Sequence, residues 1–97
     1  MLGTIFEWDE DKNRVNINKH GISFNEAVTA FKDENAILIS DEEHSEQEER
    51  FILLGFSSQP RLLVVCHCYR ESDSIIRIIT ARKANKHESE QYGGAFI

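Results

Sequence analysis

Three β-rich runs joined by very short links constrain this chain more than any other feature. Arg50 to Phe56, Leu62 to Arg70 and Ser74 to Ala81 are dominated by Leu, Val, Ile and Phe, and the links Ser57-Ser58-Gln59-Pro60 and Glu71-Ser72-Asp73 are of hairpin length. Connections that short return the chain beside the strand it has just left, so the three runs are expected to pair in order and antiparallel.

The preceding half reads as helix, helix, strand. Thr4 to Trp8 is either a short first strand or an extended lead-in. Asp9 is a good N-cap for a helix to about Lys19, and Gly21 is placed to end it in a left-handed turn with Ile22 packing back. Ser23-Phe24-Asn25-Glu26 has the pattern of a capping box, opening a second helix through about Phe31 whose Phe24, Ala27, Val28 and Phe31 recur at helical spacing. Lys32 to Asn35 turn the chain into a strand over Ala36 to Ser40. At the other end Asn85-Lys86-His87-Glu88 opens a short helix that Gly93-Gly94 would stop. The expected fold class is α+β, with two N-terminal helices, an antiparallel sheet of about four strands and a short C-terminal helix. Ninety-seven residues suffice for one domain over 1–97 with a single core.

No apolar run approaches a bilayer span, and the N-terminus lacks the basic start and apolar stretch of a signal peptide, so a cytoplasmic location without membrane contact is expected. The two cysteines, Cys66 and Cys68, are splayed along one strand face and have no second ligand pair elsewhere. Buried reduced thiols are therefore expected, not a disulfide or a zinc site. No Gly-rich phosphate loop, nucleophile elbow or metal-binding arrangement is visible, so neither cofactor nor metal is expected.

The net charge of −6 is unevenly spread. Asp41, Glu42, Glu43, Glu46, Glu48 and Glu49 fall in nine residues without Lys or Arg, whereas Arg61 to His87 holds six Lys or Arg against Glu71 and Asp73. The acidic run reads as a solvated loop, or more sharply as a surface for a basic partner. Guanidinium groups on strands are costly to desolvate and well shaped to clamp phosphate. Strand alternation puts Ile76, Ile78, Thr80 and Arg82 on one face and Ile75, Arg77, Ile79 and Ala81 on the other. Arg77, in the middle of a largely buried strand, needs an acid such as Glu7 or Glu26, or an open surface. Arg82 is the stronger phosphate candidate, and Arg50 and Arg70 also sit at strand ends. Arg61 and Lys83 read as surface solubility.

On the first helix Lys12, Asn16, Lys19 and His20 define one polar face, with Val15 and Ile17 expected inward. Lys12 and Asn16 read as solvated. His20 reads equally as a cap favoured by the helix dipole or as a proton-transfer group. Cutting RNA without a metal takes a base for the 2′-hydroxyl, cations for the pentacoordinate phosphate and an acid for the leaving oxygen. Lys19, His20, the arginines and Tyr92 supply those chemistries.

Several motifs together resemble the BrnT toxins of bacterial type II toxin–antitoxin systems. They are Phe6-Glu7-Trp8-Asp9 with Lys12; Asn16-x-x-Lys19-His20-Gly21-Ile22-Ser23-Phe24-x-Glu26-Ala27; Glu49-Arg50-Phe51 with Leu54-Gly55; Leu63-Val64-Val65 leading to Tyr69-Arg70; and Ile76 to Ala84, with Glu88 and Tyr92. The sequence departs from that pattern at Gly93-Gly94-Ala95-Phe96-Ile97, where a longer charged helix is usual. The resemblance implies a RelE-like fold and metal-independent, ribosome-independent endoribonuclease activity. It also implies neutralisation by a BrnA-type antitoxin with a ribbon-helix-helix DNA-binding domain. Operator DNA would be reached only through that antitoxin, in an assembly where a toxin homodimer is one arrangement. Position by position it points to Lys19, His20, Arg50, Arg70, Arg77, Arg82 and Tyr92 as catalytic, with Arg70 and Arg82 best suited to phosphate and His20 or Lys19 to proton transfer. The competing readings are a non-catalytic module holding RNA or a protein on the same basic surface, and a small enzyme acting on a phosphorylated metabolite.

Overall fold

The computed structural model describes residues 4–44 and 48–94. The centre of the acidic stretch and the Ala95-Phe96-Ile97 end lie outside the described residues. Strand β1 (Ile5–Glu7) leads into helix α1 (Glu10–His20) and helix α2 (Phe24–Ala30), followed by β2 (Ile37–Ser40) and a short 3₁₀ turn (Glu42–His44). Strands β3 (Phe51–Phe56), β4 (Leu62–Arg70) and β5 (Ile75–Lys83) then precede helix α3 (Lys86–Gly94). Among the described residues no helix is long and apolar enough to cross a membrane.

The caps form where the sequence places them. Asp9 accepts the Asp11 and Lys12 N–H groups, and Gly21 adopts φ 71° with its N–H donating to the Ile17 carbonyl at 2.8 Å. Asn85 and Glu88 cap reciprocally, each side chain accepting the other's backbone N–H at 2.8 Å. Ser23 accepts the Glu26 N–H at 3.1 Å, but the Glu26 carboxylate turns to the Ser57 hydroxyl at 2.6 Å and to the Arg61 guanidinium. Arg61 is therefore a structural partner and not simply a solubilising side chain. Its hydrogen bond outweighs burial and holds the Glu26 carboxyl below the usual range.

The sheet has five strands in the order β1-β5-β4-β3-β2 and is mixed. β2 to β5 pair antiparallel, whereas β1 runs parallel to β5 with Ile5 opposite Ile75 and Glu7 opposite Arg77. This corrects the expected four-strand antiparallel sheet. The segment that read as strand or lead-in is an edge strand, and the long excursion through α1 to β4 lets it dock parallel.

Helices α1 and α2 cover one sheet face. Ile22, Phe24, Ala27, Ala30, Leu53, Leu63, Val65, Ile76, Ile78 and Ala81 form the core between them, with Phe6 and Trp8 packed against it. Fully burying a side chain the size of Phe24 stabilises by roughly 1.5–3 kcal/mol. On the other face Tyr92 of α3 packs over Leu54 and Val64, and among the described residues no other helix covers that face.

Two expectations fail locally. α1 turns Asn13 and Asn16 inward, at 7% and 5% exposure, while Val15 and Ile17 stand 62% and 41% exposed. In β5 the register slips, with Cys66 opposite Thr80 but His67 opposite Ile78, so Ile79 is an inserted residue. The bulge reverses the alternation beyond it. Ala81 joins Ile76 and Ile78 in the core, and Arg77, Thr80 and Arg82 share the opposite face.

Candidate functional site

The face not covered by α1 and α2 gathers the arginines that the sequence singles out. Arg77 pairs across from Cys68, Thr80 from Cys66 and Arg82 from Val64. Arg70 ends β4 on the same parity, and Arg50, just ahead of β3, acts electrostatically on the Cys66 thiol. Without the bulge, Arg82 would lie on the face away from Arg77.

Each β4 and β5 arginine meets a carboxylate. Arg77 Nη1 donates to Glu7 Oε2 at 2.9 Å, consistent with the sequence expectation of Glu7 or Glu26 as its partner. Arg70 has looser partners, with Nε 3.8 Å from Glu7 Oε2 and Nη2 3.5 Å from Glu48 Oε1. Arg82 is gripped bidentately by Glu88, both contacts at 2.8 Å. That hydrogen-bonded pairing outweighs burial, raising the Arg82 pKa and holding the Glu88 carboxyl below the usual range. Arg70, 48% exposed, is thus the more available to a phosphate and Arg82 the more firmly held.

Lys19 and His20 come from α1, which packs on the other sheet face. With Lys12, Val15 and Asn16 they line a cavity of about 330 Å³ against Ile79 and Thr80 of β5. Thr80 belongs to both places, lining the cavity and lying between Arg77 and Arg82 on the sheet face. The connection between α1 and β5 is the Asn16 amide. Its Nδ2 donates to the Ala81 carbonyl at 2.7 Å and the Ile22 carbonyl at 2.8 Å, and its Oδ1 accepts the Ala81 N–H at 3.1 Å. β1 ends opposite Arg77, so this amide takes the place of a strand partner farther along β5.

Tyr92 stands apart from the other singled-out residues. It is 6% exposed, its ring meets Phe56 edge-on at 5.1 Å, and its hydroxyl donates to Asp33 Oδ2 at 2.6 Å. Burial, reinforced by Asp33, pushes its pKa up to about 12. In this geometry it anchors α3 to the sheet. Burial likewise raises both thiols, Cys66 with help from Asp41 and Cys68 with help from Glu48; Cys68 is buried as expected, whereas Cys66 is only half-buried. Among the described residues no three His, Cys, Asp or Glu side chains cluster as metal ligands do. Sequence reading did not single out Thr80, Val15 or Ile79 for the site; the register slip brings Thr80 and Ile79 to it, and the inward turn of Asn13 and Asn16 leaves Val15 facing out.

A helix pair on one face of a mixed sheet is a fold shared with a solved toxin. The 1.1 Å crystal structure of the Brucella abortus ribonuclease toxin, BrnT, superposes with a TM-score of 0.65 at 22% identity, covering 86% of this chain and 100% of that one. The family model for the ribonuclease toxin BrnT of type II toxin–antitoxin systems matches residues 8–88, and this chain belongs to that family. No curated protein matches the sequence.

Proposed function

We propose that this protein is a metal-independent endoribonuclease toxin whose RNA lies across the arginine-bearing sheet face and into the cavity edged by Lys19 and His20. The observation that carries this reading is the shared Thr80: the imidazole and amine of α1 border the same strand segment that Arg77 and Arg82 flank. In the proposed reaction His20 takes the proton of a ribose 2′-hydroxyl. The 2′-oxygen attacks phosphorus to give a 2′,3′-cyclic phosphate, and the 5′-oxygen departs and is protonated, with Lys19 next to His20 in sequence as the second proton-transfer candidate. Arg77 and Arg82, on either side of Thr80, supply charge for the phosphorane once substrate displaces Glu7 and Glu88, while Arg70 and Arg50 hold phosphates farther along the strand. Tyr92 serves this reading by holding α3 and Glu88 in place.

Family membership entails an antitoxin, and we infer one of BrnA type with a ribbon-helix-helix domain, through which alone operator DNA is contacted. The exposed acidic residues around Glu42–His44 and Glu48 offer such a partner a basic-side-chain contact.

The test is purified protein with RNA in excess EDTA. Wild type should cut, and His20→Ala should lose about 10²-fold or more in rate with an unchanged unfolding curve. RNA that binds with a steep salt dependence yet stays intact would replace this reading with the non-catalytic module.

A further inference from the structure

Two apolar side chains of the α1–β5 cavity stand outside the hydrophobic core. Val15 projects an apolar side chain into solvent from a helix whose inward positions are asparagines. Ile79 is the inserted residue of the β5 bulge, turned out of the ladder toward α1. A solitary exposed valine needs no explanation, but these two line one cavity. Bulges recur where a side chain is re-aimed beside a site.

The rim has the opposite character. Lys12 and Lys19 lie seven residues apart on α1, about 10 Å along its axis, with the cavity between them and His20 and Thr80 at one end. The one carboxylate on the rim, Asp11, is paired with Arg14. In a chain of net charge −6, an apolar floor ringed by two amines and an imidazole selects a flat apolar body that carries anions. The volume of about 330 Å³ lies at the small end of the roughly 300–1,000 Å³ range of ligand clefts, which suits one ring system and not a long acyl chain.

We infer that this cavity seats a single unpaired nucleobase of the RNA strand against Val15 and Ile79, with the phosphates on either side held by Lys12 and Lys19. This rests on the nuclease reading and deepens it. The seat places a neighbouring phosphodiester at Thr80 and His20, so the choice of cut site is made by the base in the cavity and not by the arginines. Duplex RNA, whose bases stay stacked and paired, does not enter.

The experiment follows the Val15 and Ile79 methyl resonances of the full chain during titration with 5′-AMP, with 5′-UMP and with inorganic phosphate alone. Either nucleotide should shift both methyls, whereas phosphate should leave them in place. In parallel, Val15→Asp, at a position exposed enough not to disturb folding, should raise KM for single-stranded RNA about tenfold or more and redistribute the cut sites, while Val15→Leu should do neither. Methyls that ignore both nucleotides, or a Val15→Asp protein that cuts at the same sites with the same KM, overturn the inference even if wild type is an active nuclease. A wild type that seats nucleotides but never cuts RNA leaves the seat standing and overturns the nuclease reading instead.

Discussion

Replacing Asn16 tests how α1 is fastened to the sheet, and Asn16→Leu is the sharpest form because it nearly keeps volume while deleting every polar atom. The amide satisfies three buried backbone groups: the Ile22 carbonyl, the Ala81 carbonyl and the Ala81 N–H. An unsatisfied buried group costs about 1–3 kcal/mol. Carbonyls retain a second lone pair, and the adjoining cavity admits water, so the lower end applies and the sum comes to about 3–4 kcal/mol. Against a total stability of roughly 5–15 kcal/mol this is severe, and at about 4–8 °C per kcal/mol it lowers Tm by well over 10 °C. Asn16→Asp separates polarity from geometry. It keeps an acceptor for the Ala81 N–H but turns the donor into a second oxygen facing two carbonyls. It should be as unstable as the leucine variant at neutral pH and recover partly in acid, where a protonated carboxyl donates again. Urea unfolding at constant m value measures both. An Asn16→Leu protein within about 1 kcal/mol of wild type, or an aspartate variant whose deficit relative to wild type does not shrink between pH 7 and acid, would refute the role assigned to this amide.

Burial pushes the His67 imidazole below its ordinary value, against the favourable Val65 carbonyl contact. The unfolded chain therefore binds the extra proton first, and stability should fall as pH drops below about 6.5, with the slope flattened in His67→Gln; a flat wild-type profile from pH 7 to 5 would contradict this. A Cβ at Gly55 would meet the Ala30 carbonyl oxygen at 2.9 Å and the Ala36 Cβ at 3.1 Å, so Gly55→Ala should cost about 1–3 kcal/mol in urea unfolding, and a neutral result would mean that α2 yields easily. Glu88→Gln releases Arg82, so in a His20→Ala background single-stranded RNA should bind more tightly at fixed salt, whereas Arg82→Ala in that background should flatten the log–log salt slope by about 0.7, and an unchanged slope in Arg82→Ala would show that Arg82 does not meet phosphate.

The caps and strand limits were legible because each rests on local chemistry. Asp9, Gly21, Ser23 and the Asn85–Glu88 pair act within a turn of themselves, and β4 spans Leu62–Arg70 where its apolar run between two short links places it. What was not legible depends on distant partners. Asn16 reads as solvated because an asparagine on a polar helix has no apparent reason to be inside. The reason is the shortness of β1, which stops opposite Arg77 and leaves Ala81 needing hydrogen-bond partners from elsewhere. The β5 bulge carries no residue signature, since Ile79 is as good a strand residue as its neighbours. Yet that one insertion decides which arginines share a face.

The pairing of the arginines has a consequence for how an acidic protein can hold RNA. Arg70, Arg77 and Arg82 draw their carboxylates from three separate places: β1, the end of the acidic stretch and α3. At rest these three pairs are close to neutral, and on the proposed reading the face becomes cationic only as phosphate replaces carboxylate. Exposed ion pairs contribute about 0–1 kcal/mol, so the exchange at Arg70, with contacts of 3.5 and 3.8 Å, is nearly free. At Arg82 it costs more, because both Nη groups are held by Glu88 at 2.8 Å and must break two charge-assisted hydrogen bonds at once. Substrate should therefore engage Arg70 and Arg77 first and Arg82 last. Charge is then delivered at the strand segment beside Thr80 and His20 only after the rest of the phosphate backbone is in place.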